Sequence, residues 1–301
     1  MKGVKMKGGK GGKRRKMSGL YIWSWGGGSE EWELAEADED RASKHTVWHA
    51  VDADVGLPSF VTRLMVECGM ARAFELLRVH PGSVVELCID GASAEQQRLP
   101  PELVRFLETT AIPAIELEHD YDDGAWAVSV CEVIRRNADI TRMHLNAMEE
   151  CTMQPMDAIT HLTFPGDGFW DPNLTRRRSL RDVLAVFPNL QTLKINGTGD
   201  ENDWVPVPRD YDAIDAQPLM DEVDGILLST GWAIRAFAAW IRTCRVGVVR
   251  VYVESGYLSD DDVDATEQSV IDMFLPAANE NPCLRELYVD THQLIAQPIL
   301  K

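Results

Sequence analysis

A chain of 301 residues, 45% hydrophobic and 26% charged, carries enough apolar sequence to bury a large core. Its net charge of −18 argues against nucleic acid or an anionic membrane as a partner of the body. No apolar run approaches the roughly 18 residues that cross a bilayer, and no apolar signal-peptide core is read at the N-terminus. The expected location is therefore cytoplasmic or nuclear, with no membrane partner.

The first element expected is a tail. Residues 1–45 read as disordered, basic and then acidic. Eight of the 30 Lys and Arg fall in the first sixteen residues, which contain no acid. Nucleic-acid binding is expected only there, through Lys2–Lys16. The KRRK at Lys13–Lys16 has the composition of a nuclear signal as well as that of a solvated tail. A phosphate-binding loop is excluded, because Gly11 and Arg14 stand where a hydroxyl must follow the lysine. The domain is expected over residues 46–301. It opens with a helical cap over about 46–80, in which FVTRLMVECGMARAFELL reads as one or two helices.

From there one phrase recurs, aliphatic-x-x-aliphatic-x-aliphatic. Eight copies are read: Val84-Leu87-Ile89, Ile112-Ile115-Leu117, Ile140-Met143-Leu145, Ile159-Leu162-Phe164, Leu190-Leu193-Ile195, Val223-Ile226-Leu228, Val246-Val249-Val251 and Leu284-Leu287-Val289. The first three begin 28 residues apart. Several of the gaps carry helical stripes: Leu103, Phe106 and Leu107 behind Pro100 and Pro101; Trp126, Val130, Val133 and Ile134; Ile234, Phe237, Trp240 and Ile241; and Val263, Val270 and Phe274. Short strands thus alternate with helices. In each strand the last two aliphatics share one side, and the first turns inward from the entering loop. One strand–helix unit cannot bury that side alone. Stacked units pair their strands in parallel, with the helices as crossovers, and close one continuous core.

With these phrases the chain resembles the leucine-rich-repeat superfamily, in particular the irregular strand–helix type of ribonuclease-inhibitor-like and F-box leucine-rich-repeat proteins. The resemblance covers about residues 58–295 through VVELCI, IPAIEL, ITRMHL, ITHLTF, LQTLKI, VDGILL, VGVVRV and LRELYV. It implies an open α/β solenoid with parallel strands on the concave side and helices outside. It also implies a substrate-recognition adaptor. The family's Asn or Cys three residues past the last aliphatic is mostly absent, with Thr198 in one copy and His292 in another. GLPSFVTRLM at Gly56–Met65 resembles the L-P start of an F-box, but no F-box helix set is read.

No complete catalytic or cofactor-binding constellation is read, and no cofactor is expected. The six cysteines lie far apart, which suits reduced, buried thiols rather than a zinc site. His144 and His161 point away from the core but lack a third metal ligand. The acid run Asp260–Glu267 fails the calcium-loop pattern at Ala265 and Ile271 and reads as a helix start. The acidic stretch Thr198–Pro218 reads as a loop, either solvated or partner-binding. The function expected is a monomeric, non-enzymatic scaffold for a protein partner. The contacts expected, on the concave face, are Arg142, His144, Asn146, His161, Thr163, Thr192, Lys194, Asn196, Arg250, Tyr252, Glu286, Tyr288 and Asp290. Arg and Tyr are types favoured at interfaces, and the partner expected is an acidic or mixed protein surface. The alternative is a (β/α)₈-barrel enzyme in which Asp90, His119, Asn146, Asp167 and Asn196 converge at the strand ends. The short Ile140–Ile159 interval and the brief C-terminal segment after the last copy argue against it.

Overall fold

The computed structural model describes residues 20–26, 29–35, 45–48, 63–67, 71–79, 82, 84–91, 99–118, 124–145, 154–165, 180–196, 206–253, 267–291 and 297–298. In chain order the elements are β1 (Leu20–Gly26), β2 (Ser29–Ala35), β3 (His45–Trp48), β4 (Arg63–Glu67), α1 (Ala71–Val79), β5 (Glu86–Asp90), α2 (Pro101–Thr109) and β6 (Ala114–Glu118). They continue as α3 (Gly124–Ile134), β7 (Arg142–Leu145), β8 (His161–Pro165), α4 (Leu180–Val186), β9 (Thr192–Asn196), α5 (Pro208–Asp215) and β10 (Glu222–Leu228). The last are α6 (Gly231–Ile241), β11 (Val248–Val253), α7 (Glu267–Glu280), β12 (Glu286–Thr291) and β13 (Gln297–Pro298).

The recurring phrase builds an α/β structure. Strands β4 to β12 lie side by side in chain order, nine strands all parallel, in a sheet that is not closed. The middle aliphatics fall in one row across it: Leu64, Leu87, Ile115, Met143, Leu162, Leu193, Val223, Val249 and Leu287. All nine are buried in a single cluster with the helix stripes Leu103-Phe106-Leu107, Val130-Ile134 and Ile234-Phe237-Ile241. The alternate strand positions face the other way and are mainly polar. Among the described residues, no helix is long and apolar enough to cross a membrane.

Two hydrogen-bond ladders tie the layers together. At each junction from β6 to β12, one carbonyl accepts from two successive N–H groups of the next layer. The acceptors are Pro113, Thr141, Thr160, Gln191, Asp221 and Gly247, and the final donors are Arg285 and Glu286. The second ladder satisfies carbonyls that helix ends leave unpaired. Asn137 donates to the Leu107 and Thr110 carbonyls at 2.8 Å each, closing α2. Asn281 donates to Ile241 at 2.8 Å and Cys244 at 2.9 Å, closing α6, while its own oxygen accepts from Cys283 N–H. Gln217 reaches the Leu184 carbonyl in the same way.

Several expectations are corrected. Part of the segment read as a helical cap is strand β4, whose Leu64 and Val66 extend the core rows, and among its described residues only Ala71–Val79 is helical. Part of the stretch read as disordered tail is strand. Leu20–Gly26 pairs antiparallel with Ser29–Ala35 and parallel with β4. The aromatic-rich LYIWSWG is strong strand sequence, which an average over the charged tail conceals. The stretch Thr198–Pro218 is not all loop, since its second half is α5, with Tyr211 and Ile214 buried. Pro208 opens α5, and the Asp210 carboxylate accepts from Val207 N–H at 3.0 Å. The copy Val223-Ile226-Leu228 is out of phase: register aligns Val223 with Leu193, so Met220-Val223-Ile226 is the true layer, lengthened by a bulge. Cys88, Cys131 and Cys244 are buried as expected, but Cys283 is exposed, and Cys68 and Cys151 lie outside the described residues.

Candidate partner-binding face

Two rows of strand residues line the face away from the core. The first runs Arg63, Glu86, Ala114, Arg142, His161, Thr192, Glu222, Val248 and Glu286. The second runs through Cys88, Glu116, His144, Thr163, Lys194 and Asp224, then Arg250 and Tyr288 beyond a bulge. Arg142, His161, Lys194 and Tyr252 are exposed, and His144, Thr163, Thr192, Asn196, Arg250, Glu286 and Tyr288 are half-buried. The face selected from the phrase is therefore the open one. Asn146 and the Asp290 side chain lie outside the described residues, though Asp290 holds register with Tyr252.

Charges on this face fall into three zones. Over β4–β7, Arg63 spans two strands to bond Glu116 and pairs with Glu86 at 3.0 Å, while His144 Nδ1 donates to Glu116 at 2.9 Å. Burial pushes the Glu116 carboxyl up, but the bonds from His144 and Arg63 outweigh it and hold it at about 2. Over β10–β12, Arg250 donates to Glu222 at 3.3 Å and lies 4.0 Å from the Tyr288 ring centre, and the Tyr288 hydroxyl donates to Glu286. Asp224 sits in the bulge, its carboxyl raised by burial against the pull of Lys194 and Arg250.

Between them, over β7–β9, lies a cationic zone, with Asp224 the nearest acid to Lys194 across the β9–β10 register. Neither Arg142 nor Lys194 makes an ion pair among the described residues. His161 stands between them, held below the usual imidazole range by partial desolvation of its ring and then by Arg142. Thr160 Oγ1 donates to the Thr141 carbonyl and lies 2.8 Å from His161 Nδ1. Lys194 is also the sole lysine between Lys44 and Lys301, so every other cation of the body is arginine.

Arg63, Glu86, Glu116, Glu222 and Asp224 were not among the expected contacts. Strand alternation reaches all of them, because each stands two residues from another position on this face. Of the barrel alternative's residues, Asp90 and Asn196 stand four strands apart, roughly 19 Å at about 4.8 Å per strand, in a sheet that does not close. His119, Asn146 and Asp167 lie outside the described residues. Among the described residues, no three His, Cys, Asp or Glu are placed to hold a metal ion. No protein-family model matches the chain, and no curated protein matches it.

Proposed function

We propose that this protein is a non-enzymatic scaffold of the leucine-rich-repeat type, an open solenoid that docks a protein partner on the polar face of its sheet. The observation that carries the reading is the contrast between the two faces. One is closed by helices into a single apolar core, and the other presents Arg142, His161, Lys194 and Tyr252 to solvent. All-parallel sheets usually bury both faces, so an open polar one is available for binding. The junction ladder, repeated from Pro113 to Arg285, supports the stacked-layer architecture. The partner surface that fits the middle of the face is acidic or mixed. The adaptor role implied by the resemblance belongs to this same reading.

Lys194 makes the proposal directly testable, because an amine-selective reagent reports on the face at one position. A short amine-reactive cross-linker applied to the full chain with a captured partner should join the partner through Lys194, and binding should protect Lys194 from acetylation. Undiminished Lys194 acetylation in the complex would place the docking surface elsewhere.

A further inference from the structure

We propose that Arg142, His161, Thr163 and Lys194 form a site for a single phosphoryl group carried on an extended segment of the partner protein. The inference rests on the docking reading above and names what the middle of that face receives.

The register supplies the geometry. Across β7, β8 and β9, one row reads Arg142, His161, Thr192 and the next reads His144, Thr163, Lys194. Arg142 and Lys194 are thus diagonal corners about one spot over β8. The outer two strands are roughly 10 Å apart, a gap that two long, exposed side chains can close from opposite sides. His161 and Thr163 stand beneath that spot, two residues apart on the same strand.

The donor set selects the ligand. A carboxylate has one charge and two oxygens, which a single arginine satisfies. Two separate cations around a hydroxyl and a ring nitrogen suit a dianion with three acceptor oxygens. A polyanion fits poorly. Glu86 and Glu116 flank the zone on one side, Glu222, Asp224 and Glu286 on the other, and the chain carries −18 overall. Those flanks repel the extended charge of a nucleic acid or an anionic bilayer, yet leave room for one isolated phosphoryl group between them.

Binding should be coupled to a proton. The groups facing His161 are Arg142 and His144 on β7, Thr163 on its own strand, Thr192 and Lys194 on β9, and Glu222 and Asp224 on β10. A phosphoryl group would offset the Arg142 field that disfavours the imidazolium. Its oxygens would then accept from the imidazolium, in which both ring nitrogens carry protons.

The test is nuclear magnetic resonance on the full chain with isotope-labelled histidine. It is titrated with the peptide acetyl-Ala-Gly-phosphoserine-Gly-Ala-amide and with its serine and glutamate counterparts. The phosphoserine peptide should bind and raise the His161 titration midpoint. The glutamate peptide should bind about tenfold more weakly or less, and the serine peptide not measurably. Arg142→Ala and Lys194→Ala should each weaken phosphoserine binding about tenfold, with Arg235→Ala on α6 leaving it unchanged. Equal binding of all three peptides, an unmoved His161 midpoint, or indifference to both substitutions would overturn the proposal. Inorganic phosphate binding as tightly as the peptide would likewise overturn it in favour of a small-anion pocket. If the peptide fails while captured partner still protects Lys194, only this site falls and the docking reading stands.

Discussion

At Gly225 the backbone takes φ +90°, and an added Cβ would lie 1.7 Å from the Ile195 carbonyl oxygen. Both the left-handed backbone and the close approach require glycine. Gly225→Ala should cost more than about 2 kcal/mol in urea denaturation, and a loss below about 0.5 kcal/mol would show that the bulge relaxes freely. The sequence displays Val223, Ile226 and Leu228 as an ordinary phrase, and nothing in the apolar spacing signals the extra residue. Glu116 makes a second residue-scale prediction. Its carboxyl is held at about 2 against an ordinary 4.5, so its ionised form stabilises the fold. That contribution is complete above 4.5 and is lost as pH falls from there through about 2. The stability gap between wild type and Glu116→Gln should therefore be widest near neutrality and close in acid. A gap independent of pH would assign the effect to packing alone.

Among the elements, the stripes that were legible are those where burial alone dictates sequence. Leu103, Phe106 and Leu107 of α2, and Ile234, Phe237, Trp240 and Ile241 of α6, are all buried as the helical spacing requires. Strand β4 carries a sequence signal too: Val61-x-x-Leu64-x-Val66 spells the recurring phrase, but the helical spacing of the adjoining Ala71–Val79 masks it. The ladder at the helix ends was not legible, since Asn137, Gln217 and Asn281 bond carbonyls 27 to 40 residues earlier in the chain. Such pairings follow from stacking and leave no local signature. Asn281→Ala strands two buried carbonyls at the end of α6 and should cost at least about 2 kcal/mol. Arg285→Ala removes an exposed 2.8 Å bridge to Asp221 and should cost less than about 1 kcal/mol. Thermal melts of the two variants check the pair, and equal losses would mean that the ladder does not hold the layers.

For the whole molecule, the parallel sheet has one apolar, helix-covered face and one mainly polar face. The apolar spacing gave away which strand residues face the core, and by alternation it exposed the opposite face, including Arg142, His161 and Lys194. It did not show how charges on that face pair. The Arg63–Glu116 and Arg250–Glu222 contacts join residues 53 and 28 positions apart and depend on register. Shape is a separate consequence of the solenoid reading. A compact chain of this length has a radius of gyration of about 19 Å, and small-angle scattering should give a larger value with a skewed distance distribution. A value of about 19 Å would favour a closed, near-spherical arrangement.

The most direct measurement is quantitative binding of a captured partner to two paired variants, Arg142→Ala with Lys194→Ala and Arg250→Ala with Tyr252→Ala. All four side chains are exposed or half-buried, so melting temperatures should stay close to wild type. At least one pair should weaken binding about tenfold or more, the equivalent of about 1.4 kcal/mol. Unchanged affinity in both folded variants would contradict it and remove the polar face of the sheet as the docking surface.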